Sequence, residues 1–262
     1  MRNSPPIPKE MQQVPQLTPA VKVLIIINAV VWLLGSVIIE PHMLKEPYIT
    51  LYLSLIPSAI INNYYVWQPV TYMFFHPSGV WNILFNMLIL WWLGGELERQ
   101  WGKRFFLLYY MVSGVGAAFI YMLLVLLYSV VSGSGNLLHS PVVGASGAIF
   151  GLLLAYGLVF GERIVYFMFF FPMKAKWFVA LLGAIDLVMV LNSGIESGGV
   201  ANLAHLAGAV AGFLFLVLWT RTRRGSGGKS DGKKSEGRRG KLRLVVNNPD
   251  EFNASEKPKY WN

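Results

Sequence analysis

The sequence predicts an all-α, polytopic membrane protein with six transmembrane helices packed as one bundle. Three observations carry that expectation. The 262-residue chain is 55% hydrophobic and only 13% charged, with a mean hydropathy of +0.50, a balance that a soluble domain of this length does not sustain in water. Apolar runs close to the ~20 residues that a helix needs to cross a hydrocarbon core recur along the whole chain. Lys and Arg are concentrated in alternate connections between those runs, as they are in multi-span proteins with one fixed orientation.

Residues 1–20 are polar and proline-rich, and read as a cytoplasmic N-terminal segment. A secretory signal runs from a short basic region straight into an apolar core, so the first apolar run is expected to stay in the mature protein. Residues 21–220 form the expected membrane domain. Its spans, bounded by charges or Pro/Gly clusters, fall at Val21–Ile39, Trp81–Leu97, Phe105–Tyr128, Ala145–Phe160, Trp177–Leu191 and Val200–Trp219. The fourth and fifth are short and contain Gly151, Gly157 and Gly183, which suit helices packed closely in lipid. Within the first loop, Ile49–Ile61 is apolar but broken by Pro57, so it reads as interfacial. Residues 221–262 have the composition of a flexible basic cytoplasmic tail that can lie on anionic lipid.

Orientation follows from the loops. The turn Glu98–Arg104 carries Arg99, Lys103 and Arg104, and the loop Gly161–Lys176 carries Arg163, Lys174 and Lys176. Tyr128–Val143 and Asn192–Gly199 contain neither Lys nor Arg, and Glu40–Gln68 has only Lys45. The charge rule therefore places both termini in the cytoplasm.

Composition also excludes several chemistries. With no cysteine there is no disulfide framework, thiolate zinc site or cysteine nucleophile. The net charge of +9 does not point to nucleic acid, because twelve of the 22 Lys and Arg lie in the tail after Trp219. No H-E-x-x-H motif is present, and neither metal nor cofactor is expected.

Polar groups inside a span are costly unless paired, and so mark candidate function. They are Asn82 and Asn86 in the second span, Ser146 in the fourth, Asp186 in the fifth, and Asn202 and His205 in the sixth. Asn86, Ser146 and His205 each lie within about six residues of the outer entry of their span, roughly 9 Å at helical rise. A serine becomes nucleophilic when a base takes its proton, and histidine suits that role near neutrality. Ser146 is expected in the first turn of its helix, where unpaired backbone N–H groups favour a developing oxyanion. The Asn86 amide is a further donor at that depth. Gly147 and Gly151 are four apart, as are Gly208 and Gly212, so the two helices can approach closely. Phe150, one turn after Ser146, is placed to stack on His205. Asp186 is expected to make an interhelical bond or meet water. His76, beside Pro77 at the outer boundary, reads as a packing residue.

Leu84-Phe85-Asn86-Met87, the run Trp91-Trp92-Leu93-Gly94-Gly95-Glu96-Leu97-Glu98, the segment Gly144-Ala145-Ser146-Gly147-Ala148-Ile149-Phe150-Gly151, and Ala204-His205-Leu206-Ala207-Gly208 follow one another in an order and spacing that resembles the rhomboid proteases. The resemblance covers about Trp67 to Trp219. It implies a rhomboid-like bundle that cleaves transmembrane protein substrates with a Ser–His dyad lacking an aspartate, in a cavity open to the outside. On that resemblance Ser146 is the nucleophile, His205 the base and Asn86 an oxyanion donor. Asn82 stands where many members have a second oxyanion histidine, four residues before Asn86, and the interval from His76 to it is one residue longer than usual. Trp67-Gln68 stands where a Trp-Arg pair is common, which removes the arginine that anchors the first loop. A six-span chain resembles prokaryotic members, implying a bacterial inner (plasma) membrane. The competing expectation is a non-catalytic rhomboid-like protein that binds membrane clients; such relatives lack the Ser or the His, whereas this chain has both.

Overall fold

A computed structural model of the chain describes residues 17–167, 171–193 and 199–226. The segments 1–16 and 227–262, which hold nearly all of the expected N-terminal segment and basic tail, lie outside the described residues.

Helix α1 spans Pro19–Leu44. Pro19 occupies the first helical position, where its missing N–H costs nothing and its fixed φ is already helical. The free N–H groups of Ala20 and Val21 donate to the Glu98 carboxylate at 2.8 and 3.0 Å, and the Thr18 hydroxyl donates to it as well. A buried acid on the next span therefore caps the first one, at the end where the helix dipole favours negative charge. From Trp32 onward α1 widens into π-helical spacing, which carries it beyond the expected end at Ile39.

The first loop holds three short helices, α2 (Tyr48–Leu53), α3 (Pro57–Asn63) and α4 (Gln68–Thr71). None spans, in keeping with the break at Pro57. Gln68 is fully buried and ties the loop together from both ends of its amide: the Ile56 N–H donates to Oε1 at 2.9 Å, and Nε2 donates to the Leu51 carbonyl at 2.9 Å. The anchoring expected to be lost with the arginine is thus supplied by an uncharged side chain, which has both a donor and an acceptor. Trp67 stacks on Tyr65 and donates its indole N–H to the Tyr52 carbonyl.

Helix α5 runs Val80–Trp101 and α6 runs Lys103–Ser132, separated by Gly102 at φ +80°, a conformation that favours glycine. Helix α7 is Ser146–Val159, α8 Ala175–Ser193 and α9 Val200–Ser226. Five of these helices, α1, α5, α6, α8 and α9, are long and apolar enough to cross a membrane. The fourth expected span is the exception in length. At 14 residues, α7 is about 21 Å long, short of the roughly 30 Å hydrocarbon core. Its surroundings explain how this is tolerated. Gly147, Ala148, Ile149, Gly151, Leu152, Leu153, Ala155 and Tyr156 are all buried, so all but the last turn of α7, where Leu158 and Val159 are exposed, sits inside the bundle against protein. The outer helices, by contrast, expose large apolar side chains such as Val30 and Leu34 on α1, Leu123 and Leu127 on α6, and Leu214 and Leu218 on α9. Such a surface is stable only against hydrocarbon.

The all-α expectation has one addition. After α7 the chain forms an antiparallel hairpin of β1 (Ile164–Phe167) and β2 (Phe171–Lys174), pairing Ile164 with Lys174. Lys174 and Lys176 both bind the Glu162 carboxylate and, by those bonds, hold its pKa down at about 2.

Candidate active site

The segment entering α7 is fixed before the helix begins. Val142 and Leu55 exchange backbone hydrogen bonds at 2.9 and 3.0 Å, the Gly144 N–H donates to the Tyr72 carbonyl at 2.9 Å, and the Ala145 N–H donates to His76 Nε2 at 3.3 Å. Three successive anchors in the first loop thus set the position of the residue that follows. Gly144 adopts φ +112°, which an L-residue side chain would strain. That turn delivers Ser146 as the first residue of α7, with Ala145 as its cap. The first N–H groups of α7 have no intrahelical acceptor and lie at the positive end of the helix dipole.

Asn82 and Asn86 lie one turn apart on α5, and the Asn86 amide donates to Asn82 Oδ1 at 3.0 Å. Asn82 also reaches the turn that carries Ser146. A methyl group placed on Gly144 would sit 3.7 Å from Asn82 Oδ1, 3.8 Å from the His76 ring and 3.8 Å from Ser146 Oγ. Asn82, His76 and Ser146 therefore surround one small volume. The Asn82–Asn86 bond occupies the Asn82 carbonyl and leaves the Asn82 NH2 group and one Asn86 hydrogen as donors.

His205 is on α9, and its ring stacks on Phe150 with centroids 4.4 Å apart and planes 12° from parallel. The expected stack is present. So is the close approach of the two glycine pairs: a methyl group on Gly208 would overlap the carbonyl oxygen of Gly147, and one on Gly212 would overlap the Tyr109 hydroxyl. Tyr109 of α6 in turn donates to the Gly151 carbonyl at 2.8 Å. The α7 and α9 backbones touch at Gly147 and Gly208, one residue after Ser146 and three after His205. Among the described residues no hydrogen bond joins Ser146 Oγ to the His205 ring.

Two residues have partners that the sequence did not name. His76, read as packing at the boundary, is fully buried and accepts from the Ala145 N–H, and burial pushes its pKa down to about 4. Because Nε2 accepts, the proton of the neutral ring is on Nδ1. Asp186 makes the interhelical bond expected of it, and its partner is His205: Oδ2 lies 3.2 Å from Nδ1. A polar residue in a span signals that a partner exists, but the two are 19 positions apart, and nothing in the sequence named the pairing. A cavity of about 520 Å³ opens beside His76, Pro77 and Ser78, and reaches Pro141 and Val143 just before the turn that carries Ser146. Among the described residues, no group of three or more His, Asp or Glu has a metal-binding arrangement.

The stacked histidine, the serine at a helix start and the asparagine pair define a rhomboid-type membrane bundle. A rhomboid domain matches residues 63–222, and the chain belongs to the rhomboid family. It is 29% identical over 217 residues to the putative rhomboid protease YdcA of Bacillus subtilis, an alignment covering 80% of this chain and 94% of that one. Rhomboid protease AarA of Providencia stuartii is 28% identical over 204 residues, 75% of this chain and 70% of AarA. RHOMBOID-like protein 1 of Arabidopsis thaliana is 35% identical over 158 residues, which is 60% of this chain but only 35% of the plant protein.

Proposed function

We propose that this multi-pass membrane protein is an intramembrane serine endopeptidase, with Ser146 as nucleophile and His205 as general base. The observation that carries the reading is the His205 ring held flat on Phe150, one turn from Ser146, across a glycine contact that brings α7 and α9 together. The names of the two bacterial relatives, putative rhomboid protease YdcA and rhomboid protease AarA, support it.

In this mechanism Ser146 Oγ attacks the scissile carbonyl while His205 takes its proton. The resulting oxyanion is met by the first N–H groups of α7 and by the amide hydrogens of Asn86 and Asn82. His205 then returns the proton to the leaving amine, and water hydrolyses the acyl-enzyme along the reverse path. Substrates are transmembrane proteins whose helix unwinds near small, helix-breaking residues. By the loop-charge rule the site lies on the outer side of the membrane with both termini cytoplasmic, and the bacterial relatives support a bacterial inner membrane. The test is cleavage of a fluorescent single-span substrate by full-length enzyme in vesicles. Wild type is expected to cut and Ser146→Ala to be inactive while still folded; equal rates for the two sink the assignment and favour a client-binding role.

A further inference from the structure

We propose that Asp186 is a positioning residue for His205, so that the site works as a Ser146–His205–Asp186 triad; this rests on the peptidase reading above. Asp186 lies within α8 with only 8% of its surface exposed. A carboxylate there is expensive unless it is bonded, and its bond is to His205 Nδ1 at 3.2 Å.

An ionised carboxylate only accepts hydrogen bonds. Its position therefore requires the neutral ring to carry its proton on Nδ1, which leaves Nε2 as the lone pair that receives the serine proton. Phe150 fixes the plane of the ring, at 12° from parallel, and Asp186 fixes its rotation within that plane. One contact cannot do the work of the other, since a stacked ring is free to flip between tautomers and a bonded ring is free to tilt. When Ser146 gives up its proton, His205 becomes an imidazolium beside a carboxylate in low dielectric, where their attraction is strong. The charge created by the first chemical step is thus balanced by a third helix. The family resemblance leads one to expect a pair without an aspartate, so this chain departs from it at a residue on a span that contributes nothing else to the chemistry.

The experiment compares wild type, Asp186→Asn, Asp186→Glu and Ser146→Ala as full-length protein in vesicles. Asp186→Asn is the isosteric variant: its amide can donate to Nδ1, which moves the ring proton to Nε2 and removes the base. We expect kcat to fall at least tenfold with KM unchanged, because the lost interaction strengthens only in the transition state. Asp186→Glu should recover part of the rate. A merely structural role would instead lower the melting temperature or raise KM, and would not distinguish Glu from Asn by kcat. Solid-state 15N shifts of the His205 ring provide a readout independent of cleavage, with the proton on Nδ1 in wild type and on Nε2 in Asp186→Asn. Wild-type kcat in Asp186→Asn, or a ring tautomer indifferent to the substitution, overturns the proposal. Equal rates for wild type and Ser146→Ala overturn the peptidase reading instead, and the 15N shifts still decide the role of Asp186.

Discussion

At the scale of single residues, the site depends on groups whose partners come from distant parts of the chain. His76 is the clearest case, since its bond to the Ala145 N–H requires a neutral Nε2. Its folded pKa of about 4 lies below the ordinary 6.5. Below 6.5 the unfolded chain therefore takes up a proton that the folded ring refuses until about 4, and stability falls as pH drops through that window, by roughly 3 kcal/mol in all. Thermal unfolding in detergent between pH 7 and 4 should show this slope, and His76→Gln, which keeps an acceptor but does not titrate, should flatten it. An unchanged slope in His76→Gln would mean that another group is responsible. Asn86→Ala should lower kcat by about 10²–10³ if its amide meets the oxyanion. A kcat within twofold of wild type would remove Asn86 from that role. Ser146, His205 and Asn86 stand out in the sequence because their types are costly inside a span. His76 does not, because a histidine beside a proline at the membrane edge has many bland explanations and its acceptor role exists only once the first loop has folded back onto Ala145.

At the scale of elements, two contacts set how the helices meet. Gly208 of α9 lies against the Gly147 carbonyl so closely that a methyl group has no room, whereas Gly183 on α8 has nothing within 4 Å of where its methyl would point. Gly208→Ala should therefore destabilise the protein by about 1–3 kcal/mol or more and separate Phe150 from His205. Gly183→Ala should be neutral or stabilising by up to about 1 kcal/mol, through helix propensity. Similar melting temperatures for the two variants would contradict the packing described. At the other end of the bundle, Glu98→Ala strands the N–H groups of Ala20 and Val21, a loss of roughly 1–3 kcal/mol. Hydrogen exchange at those two amides should quicken in the variant; unaltered protection would show that α1 holds its start without the cap. The glycine pairs were visible in the sequence as four-residue spacings. The Glu98 cap was not, since a glutamate at a basic turn looks like a surface charge until the start of α1 is set against it. The β1–β2 hairpin was equally hidden, because an apolar run between charges has no period that separates a strand from a loop.

At the scale of the whole molecule, hydropathy and loop charge were enough to outline the bundle, since a hydrocarbon solvent forces backbone groups into helices and leaves few architectures open. Length was the weaker guide. The fourth segment was expected to cross like the others, but a helix enclosed by its neighbours is released from the thickness of the bilayer, and α7 is about 21 Å long. That shortness has a consequence for cutting. In the proposed orientation, with the inner end of α7 level with the inner boundary, Ser146 stands about 9 Å below the outer one. The protein would then act as a depth gauge, selecting a peptide bond by its distance beneath the headgroups as well as by its side chains. Lengthening the acyl chains of the vesicle lipids should move the cut along a fixed substrate, and mass spectrometry of the fragments would read that displacement residue by residue.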